Sequence, residues 1–408
     1  MNICFVTPRF PYPVTKGDQL RAYHQIRCLS RRHAVTLVAA SSVSVDAAAR
    51  AEMERWCERV EIVPVGGRQL PLRMIKGMVL SDLPLQVLFY AATNWRTRLA
   101  EVLLAKQYDV VHLSLIRSAP TAWDVALPIV VDLVDALERS ILSRSSRVPM
   151  PMRLAYDFER NRVARYEVEV CRRFSAAVVC AQADADALDT PNVAVVHSAV
   201  DTDRFAFAPE GREENLVMMT GNLGYEPNID AAEWFVQEVW PHIRRAVPEA
   251  RFRLVGARPA PRVHRLARYP GVEVVGPVGD MSSYLRTPRV AVCPMRCGSG
   301  IQTKLLEAMA SGVPVVSTPL GNEGVGAKHD YEILTAQEPE TFAGTIVGLL
   351  GDQERCLRLA KAARALVERE FSWELHARRF EAVYANAIAT YNHVSSAADQ
   401  LRTPRSSN

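Results

Sequence analysis

Short, uniformly apolar runs recur along this chain with helix-spaced stretches between them. Ile3-Cys4-Phe5-Val6 opens the series, and further runs fall at 35–39, 60–65, 110–112, 129–134, 176–180 and 193–196. A second series occupies 216–219, 252–255, 272–275, 290–292 and 313–316. Runs this short, without alternating polar positions, read as strands buried on both faces. Their alternation with helices predicts an α/β architecture of parallel sheets covered on both sides, two Rossmann-like domains in all. The first strand leads into a loop rich in Pro, Gly and Lys that ends at Gly17, then into a helix with Leu20, Tyr23 and Ile26 on one face. Between the two series, residues 206–211 include Pro209 and Gly211 and lack apolar periodicity, which sets a domain boundary there. The expected domains are 1–207 and 208–375; a helix follows over 376–394, and the polar residues 395–408 are expected to be disordered.

One strand-turn-helix unit carries more chemistry than the rest. Val290-Ala291-Val292-Cys293-Pro294 precedes Gly298-Ser299-Gly300-Ile301, and a helical stretch then runs to Gly312 and Pro314, the expected stop. The first turn of such a helix exposes unpaired N–H groups at the positive end of its dipole, and glycines let an anion approach them closely. Lys304 and Glu307, three apart, share a helix face. A cation beside a phosphate and a carboxylate able to accept two vicinal hydroxyls suit a nucleotide-sugar.

This segment resembles the C-terminal signature of the retaining family-4 glycosyltransferases of the GT-B fold, in which two glutamates eight positions apart flank the glycine turn and helix. Glu307 matches the second, which in the family binds the donor ribose; position 299 holds Ser where the family has the first, a contact to the donor sugar. Together with Thr220-Gly221-Asn222-Leu223-Gly224-Tyr225-Glu226-Pro227-Asn228, the pattern is most similar to sugar transferases of exosortase-linked bacterial exopolysaccharide systems. The resemblance implies a GT-B fold, with two Rossmann-like domains facing across a cleft and the C-terminal helix crossing back to the N-terminal domain. It implies a UDP- or GDP-sugar donor, no cofactor, no metal, and a saccharide or polyprenyl-linked acceptor. Donor contacts are expected from Gly17, Gly221, Asn222, Gly298, Ser299, Gly300, Ile301 and Glu307.

The loop after the first strand of the second series, 221–228, lacks the Arg-Lys pair that the family directs at the diphosphate. Arg296, directly after a strand end, and Lys304 are the nearest substitutes for stabilising the leaving group. In the first domain, His112 ends a strand that resembles the family's motif with histidine near the cleft, although a lone histidine after an apolar run is often structural. Asp132 and Asp135 sit in a region where relatives place an acidic or histidine contact to the sugar; Asp135, further beyond the strand, is the choice. Asp18 is equally well explained as a helix cap. Glu323, in the loop after 313–318, is a substitute for the acidic contact missing at Ser299.

Composition narrows the alternatives. With 49% hydrophobic and 23% charged residues and a net charge of +4 over 408 residues, the chain has ordinary globular composition, and nucleic acid is not an expected partner. Eight scattered cysteines and the Pro8 interruption of the first apolar run point to a cytoplasmic protein, and no apolar stretch approaches the roughly 18 residues of a membrane span. Peripheral contact at the inner face of the cytoplasmic membrane remains open, with the basic and apolar segment 70–98 as its candidate. Cys293 and Cys297 have no histidine companions, and Asp184-Ala185-Asp186 and Asp201-Thr202-Asp203 read as helix-start and turn chemistry rather than metal ligands. Neither half has Gly-x-Gly-x-x-Gly after its first strand, and no Walker-type loop occurs, which disfavours a dehydrogenase or kinase. A nucleotide-sugar epimerase of the same fold and a non-catalytic sugar-nucleotide-binding subunit stay open beside the transferase.

Overall fold

A computed structural model describes residues 1–66, 74, 76–78, 80–145, 150, 152–298 and 300–402. The chain divides into two compact units, one of Met1–Val196 with Trp373–Asn408 and one of His197–Ser372. The strands of the first are β1 (Asn2–Thr7), β2 (Ala34–Ser41), β3 (Arg59–Pro64), β4 (Val110–Ser114), β5 (Ile129–Val134), β6 (Ala176–Val179) and β7 (Val193–Val195). They lie in the order β3-β2-β1-β4-β5-β6-β7, all parallel. The second unit holds β8 (Glu213–Thr220), β9 (Arg251–Val255), β10 (Val272–Gly276), β11 (Pro288–Cys293), β12 (Val315–Ser317) and β13 (Leu334–Thr335). Their order, β10-β9-β8-β11-β12-β13, is again parallel throughout and reverses at the first strand of the set. Both units are therefore Rossmann-like, as the strand-helix alternation predicts.

The uniform apolarity of the strands follows from this topology. Ile3, Cys4, Phe5 and Val6 on β1 and Leu216, Val217, Met218 and Met219 on β8 are wholly buried, because helices cover both faces of each central strand. The C-terminal helix, Trp373–Arg402, belongs to the first unit and packs on the Gly17–Leu29 helix. Trp373 stacks on His24 with ring centroids 4.6 Å apart, and Phe380 and Tyr384 are buried. Arg32 reaches Glu374 and Glu381 at 2.6 and 2.7 Å along the same seam.

The division falls at 196/197 and 372/373, upstream of the boundaries at 207 and 375 read from polarity. Apolar residues just ahead of and within the polar stretch explain the shift. Val200 N–H donates to Phe371 O at 2.9 Å, Phe205 is buried in the core of the second unit, and the Phe207 ring packs against Gly312. Arg364 Nη1 donates to the carbonyls of Phe205 and Ala310 at 2.9 and 2.8 Å, stitching the segment to the unit. At the other end the helix is described through Arg402, the eighth residue of the stretch expected to be disordered. Phe205→Ala is expected to lower the urea stability of the protein by about 3–5 kcal/mol, the cost of a large cavity in a core. A loss below about 0.5 kcal/mol would return residues 197–207 to the role of a mere connector.

Candidate nucleotide-sugar site

Strand order reverses between β8 and β11, and ligands of open parallel sheets bind beyond the carboxyl ends of the strands at such a point. The segments that meet there in the second unit are 221–225 after β8 and 294–302 after β11. The latter turns through Gly298 at φ 115° and Gly300 at φ 74°, conformations that residues with a Cβ rarely adopt, and feeds the Thr303–Ala310 helix. Ser299 lies outside the described residues. A Cβ on Gly324 would stand 2.5 Å from Gly300 O and 2.9 Å from Ile301 Cα, so the segment after β12 is pressed against this turn. Thr318 strengthens that contact: its hydroxyl donates to Met295 O and accepts from Gly321 N. Glu323 is exposed beside Gly324. Gln302 gives the Thr303–Ala310 helix no side-chain cap.

Lys304 is buried, and burial lowers its pKa. Its Nζ donates to Asn228 Oδ1 and lies 3.1 Å from Met295 Sδ. Asn228 Nδ2 in turn donates to Asn222 O at 2.9 Å. This relay ties the turn after β8 to the helix after β11. Asn222 spends its side-chain oxygen locally, accepting from Gly224 N at 3.1 Å, and Gly221 stands at φ 147° beside Gly256, where a Cβ would collide with the Gly221 carbonyl at 1.6 Å. Arg296 is exposed after β11, and its guanidinium forks onto Asp230 at 2.6 and 3.1 Å, with Trp234 beneath it at 5.7 Å. Its expected role as a ready cation for the diphosphate is thus met by a bidentate pair already made.

Glu307 is half-buried, and its carboxylate has no hydrogen-bond partner among the described residues. Burial raises its pKa to about 7, opposed by Arg204 and then Lys304. Arg204, in the segment that leads into the second unit, also reaches Asp280 at 3.4 Å. Sequence reasoning missed it, since no local pattern links positions 204 and 307.

In the first unit, Gly17 is exposed at the start of the Gly17–Leu29 helix, and the next residue, Asp18, is held by Arg9. His112 does not line an open surface: it is wholly buried, stacked on Phe5 at 4.1 Å, with Nδ1 2.8 Å from Tyr384 Oη. Burial lowers its pKa to about 4, so at neutral pH it is an uncharged packing element. Asp132 is wholly buried as well, accepting from Arg21 at 2.7 and 3.0 Å and from Gln25 Nε2 at 2.8 Å. Burial pushes its carboxyl up, but Arg21 overcomes this and the net shift is downward. Asp135 differs. It is half-buried, without a hydrogen-bond partner among the described residues, and burial with the nearby Asp184 raises its pKa to about 7. The residue before it, Val134, has φ 72°, a strained conformation for a β-branched side chain, where the β5–β6 register shifts. Among the described residues, no group of three His, Cys, Asp or Glu is placed to hold a metal ion.

Comparison with known proteins agrees with this geometry. Residues 214–352, within the second unit, match the family model described as Glycosyl transferases group 1. The chain is 23% identical over 366 residues to an uncharacterized 44.6 kDa protein in the cps region of Klebsiella pneumoniae, covering 85% of this chain and 90% of that protein. Anabaena Alr3699/HepE, solved with UDP, has a TM-score of 0.67 at 15% identity, covering 94% of this chain and all of that one. Sucrose-phosphate synthase from Thermosynechococcus elongatus has a TM-score of 0.71 at 14% identity, covering 96% of this chain and all of that one. At these identities the structural likeness establishes the GT-B fold.

Glu307 and Asp135 have folded pKa values above those of free carboxyls, near 7 rather than 4.5 and 3.8. Between these limits the unfolded chain ionises first, so their contribution is full below about pH 4 and is lost as pH rises through 7. Glu307→Gln removes one such burden and is expected to stabilise the ligand-free protein at pH 8 by on the order of 1–2 kcal/mol while changing little at pH 4. Urea titrations at the two pH values read this difference; equal effects at both would remove the raised carboxyl.

Proposed function

We propose that this protein is a retaining, metal-independent glycosyltransferase that moves a hexose-type sugar from a nucleoside-diphosphate sugar to a polyprenyl-linked saccharide during exopolysaccharide assembly. The observation that carries the proposal is Glu307. A half-buried carboxyl with no hydrogen-bond partner among the described residues, three residues after a lysine and just beyond a glycine turn at the strand reversal, suits a ligand with paired hydroxyls. In this reading Glu307 ionises on binding and accepts both ribose hydroxyls. N–H groups of the Gly298–Ile301 turn and the Lys304 ammonium hold the diphosphate, with Arg204 as a second cation.

Loss of the diphosphate leaves an oxocarbenium-like sugar, and the chief electrostatic task is to stabilise the charge on the leaving group. The departing phosphate oxygen then takes the acceptor proton on the same face, which retains configuration and needs no carboxylate nucleophile. Asp135 is read as a contact to a sugar hydroxyl, and Glu323, beside the turn, as the acidic group replacing the one missing at Ser299. Arg296 reaches a phosphate only by releasing Asp230 and is taken as a brace for its helix. A uridine donor is favoured by the UDP and UDP-glucose complexes of the Anabaena protein of the same fold. With such an acceptor the protein would act in the cytoplasm, at the inner face of the membrane.

A second reading, a non-catalytic nucleotide-sugar-binding subunit, is favoured by Ser at 299 and by the engagement of Arg296 with Asp230. One set of measurements separates the two. Thermal shifts with UDP, GDP and ADP, with and without magnesium, are expected to show a metal-independent stabilisation by UDP, about 2.7 kcal/mol at a hundredfold excess over Kd. Glu307→Ala should abolish most of it. No shift with any nucleotide sinks the donor site, whereas a shift without sugar transfer or donor hydrolysis across UDP-sugars moves the non-catalytic reading to first place.

A further inference from the structure

The segment 70–98, the sequence candidate for membrane contact, lies in part (70–73, 75 and 79) outside the described residues, and among those described no helix is long and apolar enough to cross a membrane. A cavity in the second unit carries more chemistry. It has a volume of about 190 Å³ and lies at the amino ends of the strands, the end opposite the candidate nucleotide-sugar site. Arg212, directly ahead of β8, and Arg289, the second residue of β11, line it together with Glu210, Gly312, Gln353 and Cys356. Gln353 and Cys356 belong to the first turn of the helix Gln353–Glu370, the positive end of its dipole.

An arginine on a strand of a covered sheet needs a carboxylate to hold its charge. Arg251 and Arg253, the other arginines on the strands of this unit, have one: they reach Glu213 at 2.6 Å and Glu273 at 2.7 Å. Arg289 does not. Its Nε donates to Leu349 O at 3.4 Å, beside the Cys356 thiol, which donates to the same carbonyl at 3.1 Å. Its two Nη groups donate to no oxygen among the described residues. Arg212 is held more firmly. Nη1 donates to Leu285 O and Pro288 O at 2.9 and 3.1 Å, Nη2 to Ala208 O and Ser311 O at 2.6 and 2.7 Å, and the buried Nε has no partner among the described residues. Carbonyls satisfy its hydrogen bonds without neutralising its charge. Burial lowers its pKa to about 10, a shift that Cys356 opposes and Arg289 adds to, so it remains a cation at neutral pH.

The acids nearby do not balance the pair. Glu210 is exposed and bonded to neither arginine, and Asp352 is engaged as the helix cap, accepting from Arg355 N at 2.9 Å. Two guanidinium groups around one cavity, with no counter-ion from the chain, form a site for an anion. Unspent N–H groups on a planar fork match the oxygens of a phosphate. The volume falls below the roughly 300 Å³ at which pockets for larger organic ligands begin, so the anion is small.

We propose that the cavity between Arg212 and Arg289 binds a phosphate group, carried as inorganic phosphate or as a small phosphomonoester. Arg289 supplies the N–H fork and Arg212 the fixed charge. The bond from Arg212 to Ser311 O puts this site at the carboxyl end of the Thr303–Ala310 helix, whose other end follows the Gly298–Ile301 turn. The inference does not rest on the transferase reading.

Calorimetric titration of the intact protein with inorganic phosphate and with glycerol 3-phosphate, at an ionic strength held constant with sodium chloride, tests it. Saturable binding is expected, and the tighter of the two ligands tells the free anion from the ester. Arg289→Gln should weaken binding about tenfold or more. Glu210→Gln should strengthen it about two- to fivefold. Arg245→Gln, at an exposed residue elsewhere in the unit, should bind as the parent does. Saturation with UDP beforehand should leave phosphate binding in place, and a protein that binds phosphate but ignores UDP refutes only the function proposed above. No saturable binding, binding unaltered by Arg289→Gln, or displacement of phosphate by UDP overturns the proposal. Should thermal unfolding show that Arg289→Gln does not fold, Glu210→Gln decides, and an unchanged affinity there overturns it as well.

Discussion

A parallel sheet covered on both faces leaves polar chemistry chiefly the ends of its strands, and the buried ionisable groups Asp132, His112, Asp135, Lys304 and Glu307 are arranged around that constraint. A charge placed within a strand must bring its own partners. Asp132, on β5, does so with Arg21 and Gln25 from the first helix, and His112, on β4, meets Tyr384 from the last. The two chain ends thus close the first unit over Asp132 and His112. Removing Arg21 would strand a buried carboxylate, a loss of about 3–5 kcal/mol in comparable pairs. These residues are framework, although two of them carry the residue types of an active site.

Carboxyls just beyond the strand ends obey a different rule. Asp132 has neighbours that stabilise its charge, while Asp135, three residues later, has burial and another carboxyl. Glu167 shows that burial alone is not a functional sign: its pKa is raised to about 7 by burial, yet it accepts from the N–H groups of Leu137 and Glu138 at 2.6 and 3.2 Å and so caps a helix. The informative case is a raised pKa with no hydrogen bond made. Glu307 and Asp135 meet both conditions, one in each unit.

The features legible in the sequence were those written within one strand-turn-helix unit. Apolar runs gave the strands, paired glycines gave the turn at 298–300, and spacing put Lys304 and Glu307 on one helix. What escaped depended on partners far along the chain. Asn228 reads as a turn residue until Lys304, 76 positions away, is seen to hold it. Arg296 reads as a free cation until Asp230, 66 positions earlier, takes its fork. The polar stretch 206–211 reads as a linker because Val200 and Phe205 before it and Phe207 within it are too few to form a periodic pattern, yet Val200 and Phe205 bury in the core of the second unit and Phe207 packs on Gly312. For His112 the apolar run 110–112 reads as ending at the histidine, whereas β4 continues to Ser114 and Tyr384 and Phe5 enclose the ring.

Lys304 and Glu307 share a cause and differ in sign. Burial lowers the lysine pKa and raises that of the glutamate, so desolvation works against the charged form of both groups. An arriving diphosphate favours the ammonium, and ribose hydroxyls favour the carboxylate. Each half of the nucleotide restores the group that the other half does not touch. In the function proposed above, the diphosphate and the ribose would each offset the desolvation of one of the two groups. A free sugar or inorganic phosphate supplies only half of this exchange. On the function proposed above, selectivity for a whole nucleotide would rest on the desolvation of two residues three positions apart, before any contact to the base is considered.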